Sequence, residues 1–255
     1  MSVYIHGGLR SPIGVLNGQY KHMRPEILGS QVIDEIINRY TISHIDGIFC
    51  GNAVGTGGNL GRLMGLMCNL PNSVPAITVD MQCASALMSI EIAYAHIVSG
   101  IMDSAIAGGI ESSSLQPERV YASGDDREGP YKVAQFTPQD QSPLAMLKGA
   151  ERTIHKYNVT KEDLYPHIIG SHQRASAALD NPYLQSYIMP ITIDGKRCID
   201  ECIRPTMNEK LLSRMKPLLG ADSITNAGNA CLTHDGAAFV YLSLIHISEP
   251  TRRSY

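Results

Sequence analysis

Cys83 directly follows an extended apolar run, Val74 to Asp80, and opens a helical one that reaches Val98. At a helix N-terminus a thiol meets unsatisfied backbone amides and the positive end of the helix dipole, which favour the thiolate. A thiolate attacks activated carbonyls, so this placement points to covalent acyl transfer. The same residue also reads as a small buried hydrophobe. The other cysteines are Cys50, Cys68, Cys198, Cys202 and Cys231; they form no Cys-x-x-Cys, and Cys198/Cys202 have no nearby Cys or His to complete a zinc site. The nine histidines show no metal-ligand spacing. His172 follows Ser171, but without a Gly-x-Ser-x-Gly elbow it reads as a packing or hydrogen-bonding residue. The loop Gly55 to Gly61 has Leu60 where a dinucleotide fingerprint needs glycine, and no Gly-Lys-Ser/Thr follows, so its glycines read as turn formers.

The elements that must position Cys83 alternate between strand and helix patterns over the first ~110 residues. Val3 to Ile5 reads as a short strand ending at Gly7-Gly8. Pro25 opens a helix with Ile27, Leu28, Val32, Ile33, Ile36, Ile37 and Tyr40 on one stripe. Ile48 to Cys50 is a buried strand, Gly51 to Gly58 a loop, and Val74 to Asp80 a further strand. The Cys83 helix is apolar nearly all round, which predicts burial on all sides. Gly100 takes the position of a left-handed C-terminal cap. Ser104 to Ala107 is the next strand, closed by Gly108-Gly109, and Gly236 to Leu242 returns to the sheet. Such alternation argues an α/β fold, a mainly parallel or mixed sheet with helices on both faces. Between them, residues from about 112 to 225 form one long helical and loop insertion. It contains a helix over Pro143 to Tyr157 and another that opens on a capping box from Thr160 to Asp163, with Pro166 kinking it or delaying its start.

Composition narrows the classes. Of the 255 residues, 44% are apolar and 18% charged, enough to fill a core and too apolar for general disorder. The net charge is −3 with scattered basic residues, which disfavours a nucleic-acid surface. The longest apolar stretch, Ala84 to Val98, is broken by polar residues and shorter than the ~18 that suggest a membrane span. The N-terminus lacks the pattern of a signal peptide. Six cysteines in a chain of this size fit reduced thiols and a cytoplasmic location.

The run Val79-Asp80-Met81-Gln82-Cys83-Ala84-Ser85-Ala86-Leu87 resembles the acylated-cysteine motif of thiolases, the acetyl-CoA C-acyltransferases. Further matches keep family order. They are Arg10-Ser11-Pro12-Ile13-Gly14, Gly51-Asn52 with Asn59 to Arg62, and Ala107-Gly108-Gly109-Ile110-Glu111-Ser112. Met146 with Gly149-Ala150-Glu151, then Ser171-His172, Ile203-Arg204-Pro205, Lys216-Pro217, Ala227 to Ala230 and Asp235 to Ala238 complete the series. The resemblance covers residues 3 to 241 and implies the N-terminal half of a thiolase. It implies that Cys83 takes an acyl group from an acyl-CoA and passes it to a second substrate. No metal or redox cofactor is implied; CoA thioesters are substrates. It further implies CoA contacts at Arg204, Met146, Ala227 and Cys231, and a homo-oligomer as the full-length form.

Some departures from the family pattern stand out. The family's second-half motifs, Gly-His-Pro and Cys-x-Gly, do not occur in these residues. Ala86 replaces a usual glycine, Ala145 a usual histidine, and Cys231 a serine. A ketoacyl-synthase-like condensing enzyme and a non-catalytic module binding CoA thioesters are the alternatives. From Leu242 to Arg252 the chain resembles no thiolase segment and looks like a translated sequencing adapter; the other reading is a strand extended to Ile247. The chain therefore divides into a thiolase N-terminal domain at 1–241 and a non-native tail at 242–255. On that view the gene continues past residue 241 and the chain by itself is poorly soluble.

Overall fold

In chain order the elements are β1 (Val3–Arg10), β2 (Gly14–Val15), α1 (Pro25–Arg39), β3 (Gly47–Gly51), α2 (Leu60–Gly65), β4 (Ala76–Val79), α3 (Ser85–Val98) and β5 (Ser104–Ser112). They continue with β6 (Arg119–Val120), β7 (Pro130–Tyr131), α4 (Ala145–Lys156), α5 (Lys161–Ala178), α6 (Pro182–Gln185), β8 (Thr192–Ile193), β9 (Lys196–Arg197), α7 (Glu209–Leu212) and β10 (His234–Leu244). This computed structural model describes residues 2–55, 57–135, 137–138 and 142–244. Residues 245–255, most of the expected non-native tail, lie outside the described residues.

Two compact units divide the chain. The first comprises residues 2–117, 186–201 and 234–244; the second comprises 118–185 and 202–233. The first holds a mixed sheet in the order β1-β10-β5-β3-β4, with β2 added to β10. β3 is parallel to both β4 and β5, whereas β10 is antiparallel to β5 and β1. The parallel strands are the ones joined by α2 and α3, because a parallel pair requires a crossover connection. Strand alternation sorts side chains to two faces. Ile48, Cys50, Ile106, Ala237, Phe239 and Tyr241 join α1 and α2 in one core, while Phe49, Ala105, Ala107, Leu242 and Leu244 join α3 in the other.

Several sequence expectations change in the structure. β1 does not end at Gly7-Gly8 but runs through them to Arg10. A Cβ at Gly7 would lie 2.1 Å from the Tyr40 ring, and one at Gly8 would lie 2.8 Å from the Phe239 carbonyl. These glycines admit neighbours rather than turn the chain. β5 likewise continues through Gly108-Gly109 to Ser112. The fold does not break at Tyr241: β10 runs to Leu244, with Leu242 and Leu244 buried. The insertion is also interrupted, since 186–201 belong to the sheet unit. Asp200 is the anchor there. It accepts two bonds from the Arg10 guanidinium, at 2.8 and 2.7 Å, and one from the Ile13 amide at 2.7 Å. Glu201 accepts from the amides of Val15 and Gln19. As expected, α3 ends in a Schellman motif: Gly100 has φ +73, and Ile101 N–H donates to the His96 carbonyl at 3.0 Å.

In the second unit, Thr160 and Asp163 form the full capping box of α5, and Pro166 lies inside that helix instead of delaying its start. Glu151 on α4 holds the segment 223–225 by accepting from the Ile224 amide at 2.8 Å, the Thr225 amide at 3.1 Å and the Ser223 hydroxyl at 3.0 Å. The Thr225 hydroxyl also donates to it. Burial pushes the Glu151 carboxyl up, but these donors together outweigh it and bring the carboxyl from 4.5 down to about 2. A depressed folded-state value means that the contribution is complete above about 4.5 and disappears as pH falls toward about 2. Urea unfolding of Glu151→Gln against wild type should therefore show a stability gap at neutral pH that closes across that acid window.

Candidate active site

The turn carrying Cys83 is built by its neighbours. Gln82 has a left-handed φ of +52, uncommon for a residue with a side chain. Ser85 stabilises that turn: its hydroxyl donates to the Gln82 carbonyl at 2.6 Å and accepts from the Met81 amide at 2.8 Å. Backbone bonds from Ala84 N–H to Met81 and from Ser85 N–H to Gln82 complete it. The helix proper starts at Ser85, so Cys83 lies two residues before it and not within its first turn. The thiol is exposed.

α3 is not buried on every side. Its buried residues are Ser85, Ser89, Ala93 and Ile97, one stripe at helical spacing, whereas Leu87 is 68% and Tyr94 51% exposed. The residues described here cover only its sheet-facing side. Toward the start of the helix that side is made of small groups. Gly51, Gly109 and Ala238 lie in one row across β3, β5 and β10. A Cβ on Gly51 would lie 2.4 Å from the Ala86 amide nitrogen, and one on Gly109 would lie 3.0 Å from the Ala86 methyl. The glycine row therefore lets the N-terminus of α3, and with it Cys83, lie directly on the sheet.

The result is an open cleft of about 450 Å³ lined by Cys83, Gln82, Ala86, Val54, Glu111 and His234, among others. Glu111 shapes its wall. Its carboxylate accepts from Asn52 Nδ2 at 2.9 Å and from the amides of Ala53 and Val54 at 3.0 and 2.9 Å, closing the loop after β3. Glu111 was visible in the sequence as part of a motif, but its partners are 57 to 59 residues away, so its role was not. Ser85 is different: its partners Met81 and Gln82 are only four and three residues away, but the left-handed turn that they close carried no signal in the sequence. His234 carried no sequence signal of its own.

The cysteines are now distinguishable. Burial pushes the thiols of Cys50 and Cys68 up to about 12 and raises that of Cys198. These three stay protonated near neutral pH and are shielded from reagents. Cys83 is the thiol placed in the cleft. Met146, Arg204, Ala227 and Cys231 all belong to the second unit and are all exposed, Met146 at 77%. His172 is a structural partner there, its Nδ1 accepting from the Arg204 amide at 3.2 Å. Among the described residues no group of three metal-ligating side chains occurs, and no helix is long and apolar enough to cross a membrane.

The family model for the thiolase N-terminal domain matches residues 3–244. The chain belongs to the thiolase family. The match decides for thiolases over the ketoacyl-synthase-like alternative, and it runs to the end of β10 at Leu244. VraB of Staphylococcus epidermidis, which bears the name of an acetyl-CoA C-acetyltransferase, is 34% identical over 243 residues. That alignment covers 91% of this chain and 62% of VraB. The Staphylococcus aureus VraB is 32% identical over 240 residues, covering 91% and 63%. The thiolase chain thus spans somewhat under two thirds of these relatives. Among solved structures, the Bacillus anthracis acetyl-CoA acetyltransferase superposes with a TM-score of 0.84 at 25% identity, covering 97% of this chain and 66% of that one. The human mitochondrial 3-ketoacyl-CoA thiolase, solved in complex with CoA, gives 0.85 at 24% identity over the same shares and supports the fold.

Proposed function

We propose that this thiolase chain carries the acyl-accepting half of an acetyl-CoA acetyltransferase or 3-ketoacyl-CoA thiolase reaction. The observation that carries the reading is the exposed Cys83 on its left-handed turn at a cleft. The Cys83 sulfur, its proton released to solvent, attacks the thioester carbonyl of an acyl-CoA. A new carbon–sulfur bond forms, the bond to the CoA sulfur breaks, and CoA leaves as a thiolate that takes up a proton from water. Exchange between thioesters keeps the acyl group activated for a carbanion acceptor in the second step. By the resemblance, a Gly-His-Pro histidine activates the acylated cysteine and a Cys-x-Gly cysteine serves the second substrate, and these residues contain neither motif. On this reading these residues alone accept an acyl group without the activating histidine and do not turn over.

The CoA moiety is proposed to meet Arg204, Met146, Ala227 and Cys231. The exposed guanidinium of Arg204 suits stacking on a base or pairing with a phosphate. CoA thioesters serve here as substrates, and the reading invokes no metal or redox cofactor. A cytoplasmic location and a place in lipid metabolism are part of the proposal. So is a homo-oligomeric full-length form. They rest on cysteine usage and on the family resemblance.

Mixing folded protein with acetyl-CoA should release a burst of free CoA thiol approaching one equivalent per chain, with no steady turnover after it. Tight CoA binding without any burst would favour the non-catalytic binding module instead.

A further inference from the structure

Among the described residues, five that carry a side chain have left-handed backbone: Asn17, Thr41, Gln82, Asn158 and Asp194. Asparagine and aspartate enter that region readily, which accounts for three of them. Thr41 follows the end of α1, where Ile42 N–H donates to the Ile37 carbonyl at 3.0 Å to close a helix C-cap. Gln82 has neither explanation. It precedes a helix instead of closing one, and the next residue is Cys83. Two side chains engage its backbone from either end. The Asp80 carboxylate accepts from the Gln82 N–H at 2.9 Å, and the Ser85 hydroxyl donates to the Gln82 carbonyl at 2.6 Å. The same hydroxyl accepts from the Met81 N–H at 2.8 Å, so it ties down the residue before as well. Left-handed backbone is disfavoured by about tenfold for a residue with a Cβ. It persists only where the surroundings impose it, and such positions gather at functional sites.

We propose that Asp80 and Ser85 are positioning residues for acyl transfer, clamping Gln82 in its left-handed conformation so that Cys83 is held where it meets the thioester. The inference rests on the acyl-transfer reading of the cleft. It gives the two side chains a role in rate and not only in folding. Without the clamp Gln82 relaxes toward negative φ, and the peptide that joins it to Cys83 turns with it. The fraction of chains with the sulfur in place then falls by about the tenfold bias against left-handed backbone. Gln82→Gly removes that bias, since glycine takes positive and negative φ about equally, so the clamp loses most of its effect in that variant.

The test reads two rates at Cys83 by quenched peptide mass spectrometry: acetylation by acetyl-CoA, and alkylation by iodoacetamide, a small reagent that reports how much reactive thiolate is present. Their ratio isolates the geometry that the thioester demands. Ser85→Ala should lower the ratio by about tenfold. Asp80→Ala, which loses one hydrogen bond, should lower it by about fivefold. Asp80→Asn keeps the accepting oxygen and should hold the ratio near the wild-type value. In a Gln82→Gly background each alanine substitution should change the ratio by less than about twofold. A ratio unchanged in either alanine variant overturns the inference. So does an equal loss with glutamine or glycine at position 82, which marks a purely structural role. Asp80 is exposed, so its variants decide the matter even if Ser85→Ala does not fold. Those results leave acyl transfer standing, whereas no acetyl adduct at Cys83 in wild type overturns both.

Discussion

Cys83→Ala should reduce acyl incorporation from acetyl-CoA by at least about a thousandfold, to background, while leaving the fold unchanged. The size of the effect follows from the role: without the sulfur no covalent adduct forms, and no other group in the cleft substitutes for it. The unchanged fold follows from exposure. Cys83 precedes α3 and is exposed, so removing its sulfur opens no core cavity. Unfolding curves for wild type and variant should superpose. A variant that still incorporates a large fraction of the wild-type acyl group would place the acceptor elsewhere.

Gly51→Ala should have the largest effect on the architecture of the site. The added methyl would sit 2.4 Å from the Ala86 nitrogen, 2.5 Å from the Ser85 carbonyl carbon and 2.8 Å from the Ala86 Cα. All three are backbone atoms at the start of α3, so no side-chain rotation relieves the clash. The helix start must lift from the sheet, and the Ser85 bonds that hold Gln82 and Cys83 lift with it. Overpacking of this kind costs about 1–3 kcal/mol. For a chain of this size that corresponds to a Tm lower by roughly 3–10 °C. Acylation should slow by more than the stability loss explains, because the turn itself is displaced. A thermal melt and a single-turnover acylation rate on the same sample check both parts. A variant with wild-type melting and wild-type rate would show that α3 does not depend on the glycine row.

The parts of this fold visible in the sequence are those set by local chemistry. The capping box at Thr160 and Asp163 and the glycine cap at Gly100 depend on residues within a few positions of one another, and both are present. The apolar runs that became β3, β5 and β10 announced a sheet with helices on both faces. What the sequence concealed was set by distant partners. Gly7 and Gly8 looked like a strand end because nothing nearby revealed Tyr40 and β10 packing against them. The exposed flank of α3 was hidden for a related reason. An apolar helix announces that it wants cover, and composition does not say which of its sides these residues supply. Within the site, Cys83 stood out by type and position. Glu111 and His234 did not, since the loop that one braces and the cleft that the other lines are assembled only by the sheet.

Everything proposed for this cleft depends on Cys83 being the residue that accepts the acyl group. The most direct measurement incubates the folded 255-residue chain with a small excess of acetyl-CoA, quenches in acid and maps every cysteine-containing peptide by mass spectrometry. One acetyl adduct per chain is expected, on Cys83, with the exposed Cys231 and the buried Cys50, Cys68 and Cys198 unmodified. Acetylation distributed over Cys231 or Cys202 with Cys83 free would contradict it.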